Sequence, residues 1–321
     1  MKRAAVLVLI VIGTGSASAQ PQTFHPALLA GGAVVFSQTG MENEDDLFLA
    51  SASAPRPTNL TRSPGRELEA SWSPDGQRLV FVRRLPGNNE LFVMDVNDTR
   101  VRRITHTEDI DEEDPVWSPD GSRIAYVRRY EGIFVMPAVG GPSHRIAVAN
   151  ALHQVRYPAW SPDGSHVAFE RDDYKSTLGP LRSSLRIVGA TGGRERALTT
   201  GPNDGSPAWT PDGVHLAFQR RGGKCGSSIW LVRAAGRSPR QLTNACRDGS
   251  AGSPAWSPDG SRLATIGQAS TGRLGIIIFD QRGRRLGVLL TAEPARFTPG
   301  GVATGGGFSL GLAWRPKHKP G

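Results

Sequence analysis

The amino-acid sequence predicts an all-β protein built as a ring of four-stranded units, the architecture called a β-propeller. Three observations predict it: a recurring phrase, its spacing, and two apolar runs behind each copy. The phrase is Trp-Ser/Thr-Pro-Asp-Gly, with its tryptophans at Trp72, Trp117, Trp160, Trp209 and Trp256. The steps between them are 45, 43, 49 and 47 residues. A propeller blade, which holds four short strands, has this period.

The phrase also predicts where the strands of each unit lie. Proline presets φ, aspartate can accept a hydrogen bond from its own backbone, and glycine tolerates a positive φ, so Pro-Asp-Gly forms a tight turn after the tryptophan. The repeat aspartates are therefore assigned to turns: Asp75, Asp120, Asp163, Asp212 and Asp259. Proline also stands two residues before four of the tryptophans. Since proline is confined to sheet edges, this strand is predicted to be the innermost one, facing the channel.

The two ends of the chain are predicted to close the ring. Residues 33–60 are typical of strands two to four of a blade that lacks its first strand, and the missing strand is assigned to residues 311–316, around Trp314. We therefore expect a six-bladed propeller over residues 33–316, closed by pairing the C-terminal strand with the N-terminal blade, and a tail at 317–321. Such closure removes exposed sheet edges.

The N-terminus has the three parts of an export signal. Lys2 and Arg3 precede an apolar run at residues 4–12, and Ala17-Ser18-Ala19 forms a cleavage motif. We predict a signal peptide at residues 1–19, an N-terminal extension at 20–32, and a periplasmic or extracellular location. The run is too short to span a membrane, so we expect no transmembrane segment in the mature chain. A buried N-terminal strand is the alternative.

Two cysteines, Cys225 and Cys246, are present in the whole chain. Export places them in an oxidising compartment, and both are predicted in neighbouring loops on one face of the propeller. They can form a disulfide if their Cα atoms approach within about 4.4–6.8 Å. A metal site would need more ligands than this pair supplies.

The five phrases resemble the WD40-like (PD40) repeats of the TolB family, and the resemblance covers roughly residues 30–316. It implies a six-bladed propeller that works in the periplasm and binds the peptidoglycan-associated lipoprotein at the propeller mouth. Members of that family also carry an N-terminal α/β domain. Because residues 20–32 leave no room for it, we expect a TolB-like propeller that lacks this domain.

Acidic residues concentrate in three predicted loops on the mouth face, the face opposite the Asp-Gly turns. Residues 42–114 carry 16 Asp and Glu against nine Lys and Arg, although the formal net charge of the chain is +9. The candidate binding residues are Glu42, Glu44, Asp45, Asp46, Glu67, Glu69, Glu108, Asp109, Asp111, Glu112, Glu113 and Asp114. Three interpretations stay open: a docking surface for a basic partner, a weakly bound calcium ion, and an ordinary solvated charge run.

The sequence contains no motif with a complete set of catalytic residues. Residues 307–311 match a Gly-x-Ser-x-Gly nucleophile elbow around Ser309, but only ten residues follow, which leaves no room for the acid and histidine that such a site needs. The seven histidines show no metal-ligand spacing. Export and the lack of aromatic-basic interleaving argue against nucleic acid.

We therefore expect a monomeric, non-enzymatic module, without a cofactor, that binds an envelope protein, a cell-wall component or another ligand. A propeller lyase or hydrolase with its site at the channel mouth is the alternative.

Overall fold

The computed structural model describes residues 6–8, 33–39, 45–51, 58–63, 65–174, 180–236, 238–268 and 274–291. These residues form six four-stranded sheets. In five of them each strand pairs antiparallel with the next along the chain, and we call these five sheets blades A to E. The sheet before them in the chain is called the first sheet.

The strands have the following bounds. The first sheet contains β1 (Val6–Val8), β2 (Ala33–Thr39), β3 (Asp45–Ser51) and β4 (Thr58–Asn59). Blade A contains β5 (Arg66–Trp72), β6 (Arg78–Arg84), β7 (Asn89–Asp95) and β8 (Val101–Arg103). Blade B contains β9 (Glu112–Trp117), β10 (Arg123–Arg128), β11 (Gly132–Pro137) and β12 (His144–Val148). Blade C contains β13 (His153–Trp160), β14 (His166–Tyr174), β15 (Pro180–Gly189) and β16 (Arg196–Ala197). Blade D contains β17 (Asp204–Trp209), β18 (His215–Gly223), β19 (Gly226–Arg233) and β20 (Arg240–Gln241). Blade E contains β21 (Ser250–Trp256), β22 (Arg262–Gln268), β23 (Leu274–Asp280) and β24 (Arg285–Thr291).

The predicted all-β propeller is confirmed, with each repeat tryptophan at the end of the edge strand of its blade. The first sheet differs from the expectation. The strand beside β2 is β1, which pairs in parallel with residues 33–35. The closing strand predicted at residues 311–316 lies outside the described residues, so the count of six blades stays a prediction. A Val-Leu-Val segment has high strand propensity, which accounts for its pairing with β2.

The Asp-Gly turns repeat nearly the same geometry in every blade. The repeat glycines have φ between +65° and +72°, a region that favours glycine. In blade C, Gly164 N–H donates to the carbonyl of Ser161 at 2.8 Å, and Ser165 N–H donates to Asp163 Oδ1 at 3.0 Å. Hydrogen bonds from the Ser161 hydroxyl and from the N–H and hydroxyl of Ser165 hold the pKa of Asp163 down at about 2. The turn aspartates are therefore structural.

Apolar side chains between neighbouring blades form the core. Between blades A and B, for example, Val80, Val82 and Leu91 pack with Ile124 and Tyr126, all at most 1% exposed. Each large side chain buried in this way contributes about 1.5–3 kcal/mol. Because the two middle strands are covered on both faces, most of their buried residues are apolar, and the buried charges that they carry, such as Glu90 and Glu170, are exceptions to this pattern.

A disulfide joins Cys225 and Cys246, whose Cα atoms lie 4.9 Å apart. Cys225 stands in the turn between β18 and β19, and Cys246 lies in the short helix α1 (Ala245–Asp248), which connects blades D and E. The bond therefore ties the mouth-side hairpin of blade D to the connection that leads into blade E.

Candidate functional site

Some of the acidic candidate residues are structural, because they belong to an arrangement of side chains that recurs from one blade to another. Glu67 and Glu112 lie five residues before a repeat tryptophan, in β5 and β9, and both are completely buried. The predicted loops at residues 61–69 and 106–114 are thus partly innermost strand, which corrects the prediction that Glu67 and Glu112 belong to mouth-face loops where they could bind a partner. Arg83 approaches Glu67 at 2.7 Å, and Arg128 approaches Glu112 at 3.5 Å.

The arginine of each unit also stacks on aromatic rings of its own blade. Arg128 lies over Phe134 at 4.5 Å, and in blade D Arg220 pairs with the buried Asp204 at 2.6 Å and lies over Trp230 at 4.4 Å. Burial raises the pKa of Glu112 to about 7, and the charge of Arg128 opposes the rise. An acid, an arginine and an aromatic ring therefore contact one another inside blades A, B and D, and link the first three strands of each of these blades.

A second repeated feature lines the channel. The residue three positions before each repeat tryptophan has a left-handed backbone although none of the five is glycine. These residues are Glu69, Asp114, Tyr157, Ser206 and Ser253, with φ between +46° and +55°. The pairing register of each innermost strand shifts at this point, which marks a β-bulge. We call these five residues the bulge ring.

Three of the bulges, at Asp114, Tyr157 and Ser206, turn a backbone N–H toward the preceding blade, and that blade supplies the acceptor. Glu69 accepts from Asp114 N–H, and Asp114 accepts from Tyr157 N–H at 3.0 Å. Left-handed non-glycine residues cost of order 1 kcal/mol or more, so they persist only where their surroundings hold them. The carboxylates of Glu69 and Asp114 do this for the two following blades.

Blade C supplies its acceptor from another strand. Its bulge residue is Tyr157, so Glu170 in β14, 1% exposed, reaches across and accepts from Ser206 N–H at 3.0 Å. Arg221 of blade D forms an ion pair with the same carboxylate. A Cβ at position 205 would overlap the ends of both side chains, so Gly205 leaves the space that this ion pair occupies. Burial raises the pKa of Glu170 to about 8, and Arg221 opposes the rise.

The remaining acidic candidates lie near the mouth-face ends of β3 and β9 and in the connection that precedes β9. Arg129 joins Asp111 at 3.1 Å and Glu113 at 2.8 Å, while Glu108 and Asp109 are exposed. Burial raises the pKa of Glu113 to about 7, and Asp114 adds to the rise. Asp46 accepts hydrogen bonds from Asn59, Thr61 and Ser63. Glu42, Glu44 and the side chain of Asp45 lie outside the described residues.

The innermost strands enclose a cavity of about 370 Å³ on the propeller axis. Among the described residues its wall has three layers: the bulge ring, a layer of Pro115, Pro158, Pro207 and Pro254, and the repeat tryptophans. The prolines therefore face the channel, as the edge-strand argument predicts. The bulge ring lies on the mouth side of the tryptophan layer.

Four wall or support residues are not predicted from the sequence: Tyr157, Glu170, Ser206 and Ser253. The available signal was the set of positions at which the repeats differ. The position ten residues after the repeat tryptophan holds Val82, Val127, Glu170, Gln219 and Ile266. An acid at a repeat position that is otherwise mainly apolar indicates a structural or functional role specific to that blade.

Two kinds of site do not occur in the described part of the chain. No group of three or more His, Cys, Asp or Glu side chains there could hold a metal ion. Among the described residues, none of the helices has the length and apolar character that a membrane crossing requires.

Antiparallel four-stranded blades around a channel lined by their first strands define the class: this is a β-propeller protein. The chain matches the PD40 family, described as the TolB beta propeller domain, over residues 2–133 and 42–248. It therefore belongs to the TolB β-propeller family, which confirms the resemblance carried by the Trp-Ser-Pro-Asp-Gly repeats. No curated protein sequence matches significantly.

Solved structures show the same fold at low sequence identity. TolB from Acinetobacter baumannii is 18% identical with a TM-score of 0.65; the match covers 85% of this chain and 63% of TolB, so this chain spans less than two thirds of that protein. An oligogalacturonate lyase from Vibrio parahaemolyticus is 14% identical with a TM-score of 0.57, covering 80% of this chain and 74% of the lyase. A gluconolactonase from Xanthomonas campestris is 15% identical with a TM-score of 0.58, covering 86% of both chains.

Proposed function

We propose that this chain is an exported interaction and ligand-binding module of the cell envelope, which receives its partner on the mouth face. The observation that carries the proposal is the contrast between the two faces. The Asp-Gly face repeats the same turn, whereas the mouth face carries uneven charge around an open cavity. In a repeat protein the uneven face is the one that can recognise a particular partner.

An exposed patch at this face supports the proposal. Tyr130, in the turn between β10 and β11, is 62% exposed and has a φ of +65°, which is unusual for a bulky residue. Leu152, in the connection from β12 to β13, is 51% exposed. The exposed carboxylates of Glu108 and Asp109 lie in the preceding connection. An aromatic beside polar groups is typical of the surface that protein partners bury.

The test is cross-linked affinity capture of the mature chain from its native envelope. We expect the wild type and the control D98N, which changes an exposed aspartate at the opposite face, to capture the same partner. The variant E108Q/D109N/Y130A should reduce capture about tenfold, because it removes the charge and the aromatic anchor. Asparagine tolerates the left-handed φ at position 109, so the loop is preserved. Equal capture by all three proteins would contradict the proposal.

Export has its own test. The signal-peptide features at residues 1–19 support secretion with cleavage before Gln20. N-terminal sequencing of the exported product should begin at Gln20. A product that retains Met1 and stays in the cytoplasm would remove this part of the proposal and leave the binding surface untouched.

An enzyme at the channel mouth is the second candidate, favoured by Glu113. Its carboxyl is 17% exposed and has a pKa raised to about 7, which suits a general acid or base. Glu112 and Glu170 do not serve this role, because both are completely or almost completely buried. An assay with oligogalacturonides and sugar lactones should give no turnover; turnover that is lost in E113Q would favour the enzyme.

A further inference from the structure

Two Asn-x-Ser/Thr triplets occur in the sequence, and the fold places them in different surroundings. One begins at Asn59 and the other at Asn97, and both have threonine in the third position. In an exported protein such a triplet is the acceptor pattern for N-linked glycosylation, provided that the middle residue is not proline. The middle residues here are leucine and aspartate. Both triplets therefore satisfy the pattern, and the structure has to distinguish them.

The triplet at Asn59 is part of the hydrogen-bonded structure. Asn59 lies in β4, where its side-chain amide donates to Asp46 Oδ2 at 2.6 Å and its side-chain oxygen accepts from Thr61 N–H at 3.1 Å. The hydroxyl of Thr61 donates to Asp46 Oδ1 at 3.2 Å and accepts from Leu47 N–H at 3.1 Å. An enzyme that uses this amide and this hydroxyl would have to break these bonds, and each broken bond costs stability. The folded chain therefore withholds Asn59.

The triplet at Asn97 is exposed. It lies in the hairpin turn between β7 and β8, on the Asp-Gly face, and all three of its residues are exposed. The side-chain amide of Asn97 makes no hydrogen bond to another described residue, and its backbone N–H donates to Asp95 Oδ1 at 2.9 Å. The hydroxyl of Thr99 donates to the carbonyl of the neighbouring Asp98 at 2.8 Å. Both groups of the acceptor pattern are therefore accessible from solvent.

The backbone of Thr99 supplies a second observation. In blades B to E the turn of the same hairpin contains a glycine with positive φ: Gly140, Gly192, Gly236 and Gly283. Blade A has no glycine between β7 and β8, and Thr99 takes the positive φ, at +57°. A β-branched residue is strained in this region, whereas glycine is not. Strain of this kind is retained where a residue has a function, so the threonine indicates a role other than folding.

We propose that Asn97 carries an N-linked oligosaccharide in the exported protein. The donor is an oligosaccharide held on a lipid pyrophosphate. The side-chain nitrogen of Asn97 forms a bond to the anomeric carbon of the first sugar and gives up one proton. The bond from that carbon to the pyrophosphate oxygen breaks, and the lipid pyrophosphate leaves with the electron pair. The sugar lies on the Asp-Gly face and leaves the mouth face free. This inference rests on export, which is part of the proposed function.

The test is mass spectrometry of the protein recovered from its native envelope. We expect the tryptic peptide of residues 85–100 to carry one oligosaccharide on Asn97, and the peptide that contains Asn59 to be unmodified. N97Q should lose the added mass, whereas N59Q, the matched control, should retain it. T99S should retain it too, because serine also satisfies the pattern. An unmodified Asn97 on a chain that begins at Gln20 would overturn the proposal, and so would an oligosaccharide on Asn59.

Replacing Thr99 with glycine separates its role as an acceptor from its role in the fold. T99G removes the pattern, keeps Asn97 and relieves the strained backbone. It should lose the oligosaccharide and melt about 2 °C above N97Q, which also lacks the sugar and so is the matched control. A T99G protein that melts below N97Q would show that Thr99 serves the fold, and would contradict the argument from its backbone.

A reaction of purified components separates this proposal from the export on which it rests. The folded mature protein, incubated with an oligosaccharyltransferase that recognises Asn-x-Ser/Thr and with its lipid-linked oligosaccharide, should gain sugar on Asn97 and none on Asn59. If Asn97 is labelled in this reaction while the chain in the cell retains Met1, export is wrong and the acceptor site stands. If the chain in the cell begins at Gln20 with Asn97 unmodified, the acceptor site is wrong and the exported interaction module stands.

Discussion

Replacing Glu170 with glutamine is expected to stabilise the protein at alkaline pH, although it breaks an ion pair. Glu170 is 1% exposed, faces Arg221 and Asp172, and accepts from Ser206 N–H. Burial raises its pKa from 4.5 to about 8. The folded chain therefore keeps this proton to a higher pH than the unfolded chain does, and the stability that this provides at low pH is lost as the pH rises through 8.

The magnitude follows from the linkage relation. Between the unfolded and folded pKa values the free energy of unfolding falls by about 1.4 kcal/mol per pH unit, so from pH 5 to pH 8 Glu170 accounts for a loss of up to about 4 kcal/mol. Glutamine has the same shape, keeps an oxygen for Ser206 N–H and does not titrate. E170Q should therefore match the wild type at pH 5 and exceed its free energy of unfolding by a few kcal/mol at pH 8.

The assay is urea unfolding of both proteins at pH 5, 6, 7 and 8. Glu112 and Glu113, whose pKa values burial also raises, titrate in both proteins, so the difference between the curves isolates Glu170. E108Q, which changes an exposed glutamate, is the control and should follow the wild type. An E170Q protein less stable than the wild type at pH 8 would refute the reasoning, because the attraction of Arg221 would then outweigh the cost of burial.

Four further outcomes are expected. Replacing Cys225 and Cys246 with serine should lower the free energy of unfolding by about 3 kcal/mol, measured in urea, since the bond closes a loop with a sequence separation of 21 residues; an unchanged midpoint would contradict this. G205A should lose about 2 kcal/mol or more, because its methyl group displaces the ion pair beneath it; a crystal structure with the pair intact would count against it. W160F should lower the free energy of unfolding by about 1–3 kcal/mol. It removes the hydrogen bond from Trp160 Nε1 to Val116 O at 3.2 Å and the cation–π contact with Arg123. Thermal unfolding measures the change, and an unchanged melting temperature would show that these contacts do not stabilise the fold. Millimolar calcium should leave the melting temperature unchanged, because the buried carboxylates already have partners; a saturable rise would restore the metal interpretation.

Features that one local motif determines by itself could be predicted from the sequence. The Asp-Gly turn, the channel-facing prolines and the tryptophan at each strand end depend on residues within one short segment. The blade period then follows from spacing alone. The cysteine pair also belongs here, because the predicted blade order placed Cys225 and Cys246 in neighbouring loops.

Features that depend on a distant partner could not be predicted. The sequence around Glu67 does not distinguish it from a solvated loop residue. Its partner Arg83 lies 16 positions later, in the next strand, and only the fold places the two side chains together. The left-handed backbone of the bulge ring is even harder to predict from the sequence. A left-handed residue is usually signalled by glycine or asparagine, whereas this position is occupied by Glu, Asp, Tyr and Ser. Its backbone is set by the acceptor in the neighbouring blade, so no single repeat contains the information.

Three of the amide acceptors run in one direction, from a blade to its successor: Glu69 serves blade B, Asp114 serves blade C and Glu170 serves blade D. The acceptor and the N–H that it receives therefore belong to different units, and Glu170 also occupies the space that a side chain at position 205 of the next unit would need. Anyone who shuffles, duplicates or deletes units to build new rings from this chain must therefore exchange them in matched pairs, and circular permutants should be opened within a unit instead of between two.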